Sequence, residues 1–167
     1  MRRMRGTEQM SESGTAAHIR EATLADVDVI LRHRRCMFAD MNYGDESTRA
    51  AMVVATRPFI DAGLRSGSYR GWLAEVGGRV VAGGGIAIAD FQPTPRSLSP
   101  KRAWIVNVYT EPASRRQGLA RQVLEAILVW CRTQGLKAVF LHASDAGRPL
   151  YDSLGFKPTS EMGLRLE

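Results

Sequence analysis

The sequence predicts a mixed α/β domain in which a central, mostly antiparallel sheet is flanked by helices. Two strand-like runs, residues 69–76 and 79–89, are joined by two glycines, and such a pair favours a tight hairpin turn. Apolar residues at helical spacing precede this hairpin in residues 24–41 and follow it in residues 118–134. We therefore expect helices to pack against a sheet built around the hairpin.

The elements before the hairpin are a short strand and two helices. Residues 18–20 have strand character, and Thr23 with Asp26 forms a capping-box pattern at the start of the first helix. A second helix is expected over residues 47–60. It should start again near Pro58, because proline suits the first turn of a helix.

After the hairpin, extended and helical patterns alternate. Residues 91–102 contain three prolines and several serines, so they are expected to form a loop between strands. The remaining predicted elements are strands over 103–110 and 138–142, a helix over 118–134 that stops at Gly135, a short helix over 148–154 that stops at Gly155, and extended chain from Phe156 onward.

Length and composition indicate one folded unit. The chain has 167 residues, 44% of them hydrophobic, which is enough for a single core over residues 17–167, whereas residues 1–16 are polar and aperiodic and read as a flexible extension. The longest apolar run, 126–131, is too short to span a bilayer, so no membrane partner is expected. Cys36 and Cys131 sit among apolar neighbours and are expected to be reduced, which predicts a cytoplasmic protein.

The net charge of +6 is almost entirely arginine, since only three of the 23 basic residues are lysines. Arginine suits anionic partners, but these arginines are scattered and no zinc-finger or RNA-recognition motif accompanies them. Nucleic-acid binding is therefore disfavoured and stays a lesser alternative. A dinucleotide-binding oxidoreductase is disfavoured too, because Gly83-Gly84-Gly85 leads into a strand pattern and not into a helix.

The stretch with the clearest chemical meaning runs from the end of a predicted strand, through a turn, into a predicted helix at residues 108–120. Unpaired N–H groups at a helix start, together with the helix dipole, attract anions. Gly118 and Ala120 lack the bulk that would hold a phosphate away, and Arg115 and Arg116 add positive charge. An ordinary tight strand-to-helix turn is the alternative explanation of this segment on its own.

Downstream, Pro149-Leu150-Tyr151-Asp152-Ser153-Leu154-Gly155-Phe156 follows the next predicted strand, and with residues 108–120 it resembles the GNAT superfamily of acyl-CoA N-acyltransferases. The resemblance implies a splayed parallel strand pair at the acyl-CoA site and an N-acetyltransferase domain over 17–167. It also implies coenzyme A contacts from Arg115, Arg116, Gln117, Gly118, Leu119 and Ala120 at the pyrophosphate, from the backbone of Val108 and Thr110 along the pantetheine arm, and from Ser144, which stands where many members have asparagine.

The same resemblance implies direct acetyl transfer from acetyl-CoA to a primary amine, with no metal. The helical tyrosine of the family matches Tyr151, whose reference pKa near 10 suits a general acid toward the departing thiolate. The backbone N–H of Val108 is the expected donor to the oxyanion. A form that binds acyl-CoA without turnover, as a sensor or partner subunit, is the first alternative, and a homodimer is expected by analogy alone.

The general base stays open, because the strand over 103–110 has no early carboxylate of the kind some family members use. The candidates are a water chain or one of four side chains, Asp40, Glu46, Glu111 and His142. The acceptor is expected to be a small-molecule or peptide amine.

The segment between the first two helices is expected to form the acceptor wall, with Asp40 and Tyr43 as candidates. Arg32, His33 and Arg35 are placed on the solvent side of the first helix, whereas Arg34 falls near its apolar stripe, within reach of an acidic substrate.

Overall fold

The computed structural model describes residues 16–166, which form a five-stranded sheet in the order β1-β2-β3-β4-β5 with helices on both faces. The predicted extension over residues 1–16 lies outside the described residues apart from residue 16. The strands are β1 His18–Glu21, β2 Tyr69–Val76, β3 Arg79–Asp90, β4 Lys101–Thr110 and β5 Val139–Phe140. The helices are α1 Val27–Asp40, α2 Glu46–Ser66, α3 Leu119–Thr133 and α4 Arg148–Ser153. The predicted mixed fold is confirmed.

The capping box before α1 forms as predicted. Thr23 Oγ1 accepts a hydrogen bond from the Ala25 N–H at 3.3 Å, and Asp26 Oδ2 accepts one from the Thr23 N–H at 2.7 Å. Asp26 also binds the guanidinium of Arg20 from β1. The first turn, Leu24–Asp26, is a 3-10 turn that leads directly into α1, so the capping pattern fixes both the helix start and its attachment to β1.

Helix α2 does not restart at Pro58, and that prediction is wrong. The helix runs without a break from Glu46 to Ser66 and ends at Gly67, whose φ of +79° is left-handed. Proline removes one backbone donor from a helix interior. The turns on both sides of it nevertheless stay helical, because the following turn buries Ile60 and Gly63 against the sheet.

The hairpin of β2 and β3 forms the centre of the sheet. Gly77 and Gly78 both have positive φ, as a two-residue turn requires, and Val76 pairs with Arg79. Further along β3, the glycines at 83–85 leave room for bulky neighbours: a Cβ at Gly84 would lie 3.1 Å from Val123, and one at Gly85 would overlap the hydroxyl of Tyr69.

Strands β4 and β5 are the parallel pair, but they pair over only two residues. Ala103 faces Val139 and Trp104 faces Phe140, after which β5 ends while β4 continues to Thr110. The predicted strand over 138–142 is thus too long, because the chain turns away to begin α4. Residues 156–166 lie in no strand, although the sequence analysis expected extended structure there.

Two apolar layers cover the two faces of the sheet. On one face, α3 buries Val123, Leu124 and Ile127 against the strands. On the other face, α1 and α2 pack their apolar residues around Tyr69 and Leu73 of β2. The sheet is therefore covered by an apolar layer on each face.

Candidate active site

A gap opens between β4 and β5 where their pairing stops. Beyond the Trp104 and Phe140 pair, the β5-facing edge of β4 has no strand partner among the described residues. The N–H of Glu111 donates to the Val81 carbonyl of β3 at 2.8 Å. Because peptide groups alternate sides along a strand, those of Thr110 and Val108 face the gap. Free backbone donors and acceptors therefore line one wall of this gap.

The loop after β4 brings a left-handed turn to the start of α3. Arg116 has φ +62° and Gly118 has φ +75°, and α3 begins at the next residue, Leu119, whose side chain is buried. A Cβ at Gly118 would meet no heavy atom of the described residues within 4 Å, so this end of the helix opens to solvent. The first turn of α3 has no side-chain cap, which leaves its N–H groups free for an anion.

The side chain of Arg115 points away from that opening. It forms an ion pair with Asp40 at the end of α1, and its Nε donates to the Thr110 carbonyl at 3.0 Å. The guanidinium also lies over the ring of Tyr109, 5.7 Å from its centroid. Arg115 thus connects the loop to α1, whereas the exposed Arg116 has no hydrogen-bond or ion-pair partner among the described residues.

Tyr151 lies on α4, the short helix that follows β5. Its ring is half-buried and packs edge-on against Phe156, with 6.0 Å between ring centroids. Burial raises the pKa of Tyr151, so its hydroxyl keeps its proton at neutral pH. The hydroxyl makes no hydrogen bond with the described residues. Tyr151 also lines a groove of about 880 Å³ bounded by α3, β5, α4 and the chain after α4, together with His142.

Ser144 stands at the start of the turn into α4. Its Oγ accepts a hydrogen bond from the Gly147 N–H at 3.2 Å, and its carbonyl accepts one from the Arg148 N–H at 3.0 Å. A Cβ at Gly147 would come 2.9 Å from the Tyr151 ring and 3.2 Å from the Ser144 hydroxyl. Gly147 therefore lets these two predicted site residues approach each other.

Comparison with known families identifies the chain. A model of the acetyltransferase (GNAT) family matches residues 31–156, which is most of the sequence and includes the β4 edge, the loop and Tyr151. The chain belongs to the GNAT acetyltransferase family.

Solved structures and curated relatives agree with this membership. A GCN5-related N-acetyltransferase from Ralstonia eutropha JMP134 is 32% identical with a TM-score of 0.85, over 90% of this chain and 99% of that one. A predicted acetyltransferase with acetyl-CoA from Clostridium acetobutylicum is 26% identical with a TM-score of 0.82, over 91% of this chain and 96% of that one. Human N-acetyltransferase 8 is 32% identical over 93 residues, 54% of this chain, so the match spans only 39% of that relative's length.

In this GNAT protein, the carboxylates considered as general bases are all paired with arginines. Asp40 pairs with Arg115, and Glu46 pairs with Arg35 and Arg49. Burial raises the pKa of Glu111, but hydrogen bonding and charge from its arginine neighbours outweigh burial and leave the pKa below its usual value. A carboxylate held as an anion by arginines is a weak proton acceptor.

The fourth candidate base, His142, is exposed and lies at the groove with Tyr151. Within residues 16–166, no helix combines the length and hydropathy that a membrane crossing requires, and no group of three or more His, Cys, Asp or Glu side chains is arranged to hold a metal ion.

The prediction that His33 faces solvent is wrong. Its side chain is only 3% exposed and contacts Tyr109, with 5.3 Å between ring centroids. The spacing from Ile30 and Met37 places His33 on the buried stripe of α1, a signal that the sequence contains. Burial lowers the pKa of His33, and the nearby Glu111 only partly opposes this effect, so the imidazole is neutral at pH 7.

Asn107 is a second site residue that the sequence analysis missed. It lies in the middle of β4 with φ +58°, at an irregularity in the pairing with β3, and its side chain is buried. Its Oδ1 accepts a hydrogen bond from Arg34 at 2.6 Å, and its Nδ2 donates to the Tyr69 hydroxyl at 3.2 Å. The sequence does contain a signal for this irregularity, because Asn107 interrupts an otherwise apolar strand. Asparagine is depleted in strands and tolerates left-handed backbone.

Proposed function

We propose that this protein moves an acetyl group from acetyl-CoA directly to a primary amine bound in the gap between β4 and β5. One observation carries the proposal: the free edge of β4 runs into a left-handed loop and an uncapped helix start. Such an edge suits an amide-containing arm, and such a helix start suits a diphosphate. The Clostridium acetobutylicum structure contains acetyl-CoA in a fold that covers 91% of this chain, which supports this choice of donor.

In this proposal the pyrophosphate of acetyl-CoA binds at the loop. The N–H groups of Gln117, Gly118, Leu119 and Ala120 donate to its oxygens, and Arg116 adds charge from the rim. The side chain of Arg115 positions the loop through Asp40, so its part in binding is indirect. The pantetheine arm lies along the peptide group of Val108 and the N–H of Thr110, whose carbonyl already accepts a hydrogen bond from Arg115 Nε.

The chemical step joins the amine nitrogen to the thioester carbonyl carbon. The nitrogen lone pair attacks that carbon, and the carbonyl oxygen becomes an oxyanion that the Val108 N–H stabilises. When the carbonyl forms again, the carbon–sulfur bond breaks and the electron pair leaves on sulfur. Tyr151 donates its hydroxyl proton to this thiolate. The nitrogen, which carries a positive charge after attack, releases its extra proton to solvent water, and Tyr151 recovers a proton from solvent, so that free coenzyme A and the neutral acetylated amine result.

The attacking amine must first lose a proton, which costs about 4 kcal/mol at pH 7 for an ordinary alkyl amine. Arginine partners lower the pKa values of Glu46 and Glu111, which makes both poorly suited to take it, and Asp40 is engaged in its ion pair with Arg115. We therefore assign this proton to solvent water at the open side of the gap, without a carboxylate base.

The test combines binding and turnover on the full chain. Isothermal calorimetry with acetyl-CoA and with coenzyme A should detect binding of both, and a panel of primary amines should release free thiol. Binding without thiol release from any amine would favour an acyl-CoA sensor. Absence of heat with either ligand, on folded protein, would overturn the proposal.

A further inference from the structure

Arg34 is a half-buried cation beside the proposed reaction centre. It extends from α1 toward the bulged part of β4, where its Nη1 donates to Asn107 Oδ1 at 2.6 Å. Asn107 directly precedes Val108, the residue whose N–H faces the gap. The guanidinium lies over the ring of Phe38, 4.9 Å from its centroid. The guanidinium charge of Arg34 is therefore held at Asn107, the residue that directly precedes Val108, whose N–H is the proposed oxyanion donor.

Arg34 has donors without partners. Its Nε is shielded from solvent and makes no hydrogen bond with the described residues, and its Nη2 makes none with them either. Burying a donor of a charged group without an acceptor is costly. Burial also lowers the pKa of Arg34, although a guanidinium remains charged at neutral pH.

The neighbouring carboxylates do not neutralise this charge. Four of them, two on α1, one in the first turn of α2 and one directly after β4, pair with arginines other than Arg34. Asp45, the cap of α2, is bound by Ser47 and Thr48, and Arg34 forms no ion pair with any described residue. The pairs are Asp28 with Arg57, Asp40 with Arg115, Glu46 with Arg35 and Arg49, and Glu111 with Arg32 and Arg79.

We propose that the Nη2 donors of Arg34, which have no partner among the described residues and are not shielded from solvent as Nε is, bind a carboxylate of the acceptor, so that the substrate is an amino acid whose α-amine is acetylated. An α-amino acid carries amine and carboxylate on one carbon, so a carboxylate held beside Asn107 brings the amine close to the Val108 peptide. A planar guanidinium matches a carboxylate in shape as well as charge. This inference rests on the proposed acetyl transfer and specifies its acceptor.

The test compares amino acids with their carboxamides as acceptors. The common L-amino acids are assayed with acetyl-CoA, each beside its primary amide, and rates are expressed per unprotonated amine because the amide lowers the pKa of the amine. We expect kcat/KM to be roughly 10- to 100-fold higher for the preferred acid than for its amide, as loss of a hydrogen-bonded charge implies.

Variants on α1 separate recognition from structure. Arg34→Gln should raise KM for the acid by roughly 10- to 100-fold and leave the amide and acetyl-CoA binding nearly unchanged. Arg34→Lys keeps the charge without the fork and should retain part of the preference. Arg35→Gln is the matched control, since Arg35 lies next in sequence, is half exposed and pairs with Glu46, and it should behave as wild type.

The outcomes distinguish this inference from the proposed function. Two outcomes would overturn the role of Arg34 alone. In the first, the wild-type protein acetylates amides as well as it does acids. In the second, it binds acetyl-CoA and acetylates other amines but no amino acid. An Arg34→Gln variant that weakens acid and amide equally would assign Arg34 a structural role. Wild type that does not bind acetyl-CoA would overturn both proposals.

Discussion

The imidazole Nε2 of His33 lies 3.5 Å from a carboxylate oxygen of Glu111, beneath the ring of Tyr109. The same carboxylate binds Arg32 of α1 and Arg79 at the start of β3. Helix α1 and strand β3 thus meet at the residue that directly follows β4 and begins the turn into the proposed pyrophosphate loop. A cavity of about 370 Å³ lies against this cluster.

This arrangement makes stability depend on the protonation of His33. Burial lowers the pKa of the folded-state imidazole below its ordinary value of 6.5, and Glu111 only partly opposes this. Below that pH the unfolded chain binds more protons than the folded chain. The free energy of unfolding should therefore fall as the pH decreases from about 7.5 to 5.5.

Urea unfolding followed by circular dichroism at several pH values measures this effect. His33→Asn should flatten the dependence over this range, whereas His18→Asn, at an exposed position on β1, should keep the wild-type slope. An unchanged slope in the His33 variant would assign the dependence to other groups.

Replacing Gly118 by glutamate should abolish acetyl-CoA binding. The new side chain would carry negative charge into the open space before α3, where the proposed diphosphate binds. We expect Kd to rise by more than about 100-fold in calorimetry, since like charges at an anion site are strongly unfavourable. Gly67→Glu is the matched control, because Gly67 also has positive φ and open space but lies just before β2, at the opposite end of the sheet from Thr110. Similar Kd values for the two variants would place the diphosphate elsewhere.

Replacing Tyr151 by phenylalanine should slow turnover and leave donor binding intact. The ring keeps its packing against Phe156, while the proton for the departing thiolate is lost. A positioned general acid contributes about 100-fold or more to rate, so kcat should fall by about that factor while Kd for acetyl-CoA stays within about twofold. A kcat equal to that of wild type would remove Tyr151 from the mechanism.

The pH dependence of kcat/KM should reflect titration of the acceptor amine and not titration of a base on the enzyme. With no carboxylate base, the rate should rise with pH until the amine of the acceptor is unprotonated, and an amine of lower pKa should shift the curve by the same amount. Because burial raises the pKa of Tyr151, the alkaline limb should begin above the ordinary tyrosine value of 10. An inflection that stays fixed across acceptors and disappears in His142→Gln would instead identify His142 as the base.

Local signals in the sequence predicted most of the scaffold. The Thr23 capping box, the glycine pair of the hairpin and the glycine before α3 each act through their immediate neighbours, and the structure contains all three. The unbroken course of α2 through Pro58 was not predictable in this way, because it depends on packing against the sheet.

The backbone geometry around the candidate site follows local signals, whereas its side-chain contacts do not. The loop over 115–120 was assigned to coenzyme A from its residue types together with the resemblance that includes the segment around Tyr151, and that assignment stays a prediction. The pairing of Arg115 with Asp40 and the hydrogen bond from Arg34 to Asn107 each join residues more than 70 positions apart. No local pattern encodes which arginine meets which carboxylate, so the unpaired state of Arg34 emerges only from the folded chain.

The glycines in the middle of β3 limit which substitutions the proposed acceptor site can accept. The Tyr69 hydroxyl accepts its hydrogen bond from Asn107 in a position directly against Gly85. A methyl group at residue 85 would collide with this hydroxyl. A variant library that is designed to change the acceptor can include substitutions of Arg34, but it must keep glycine at position 85. A change of substrate preference must therefore preserve glycine at position 85 of β3, and it depends on this backbone position as much as on the charges in the gap.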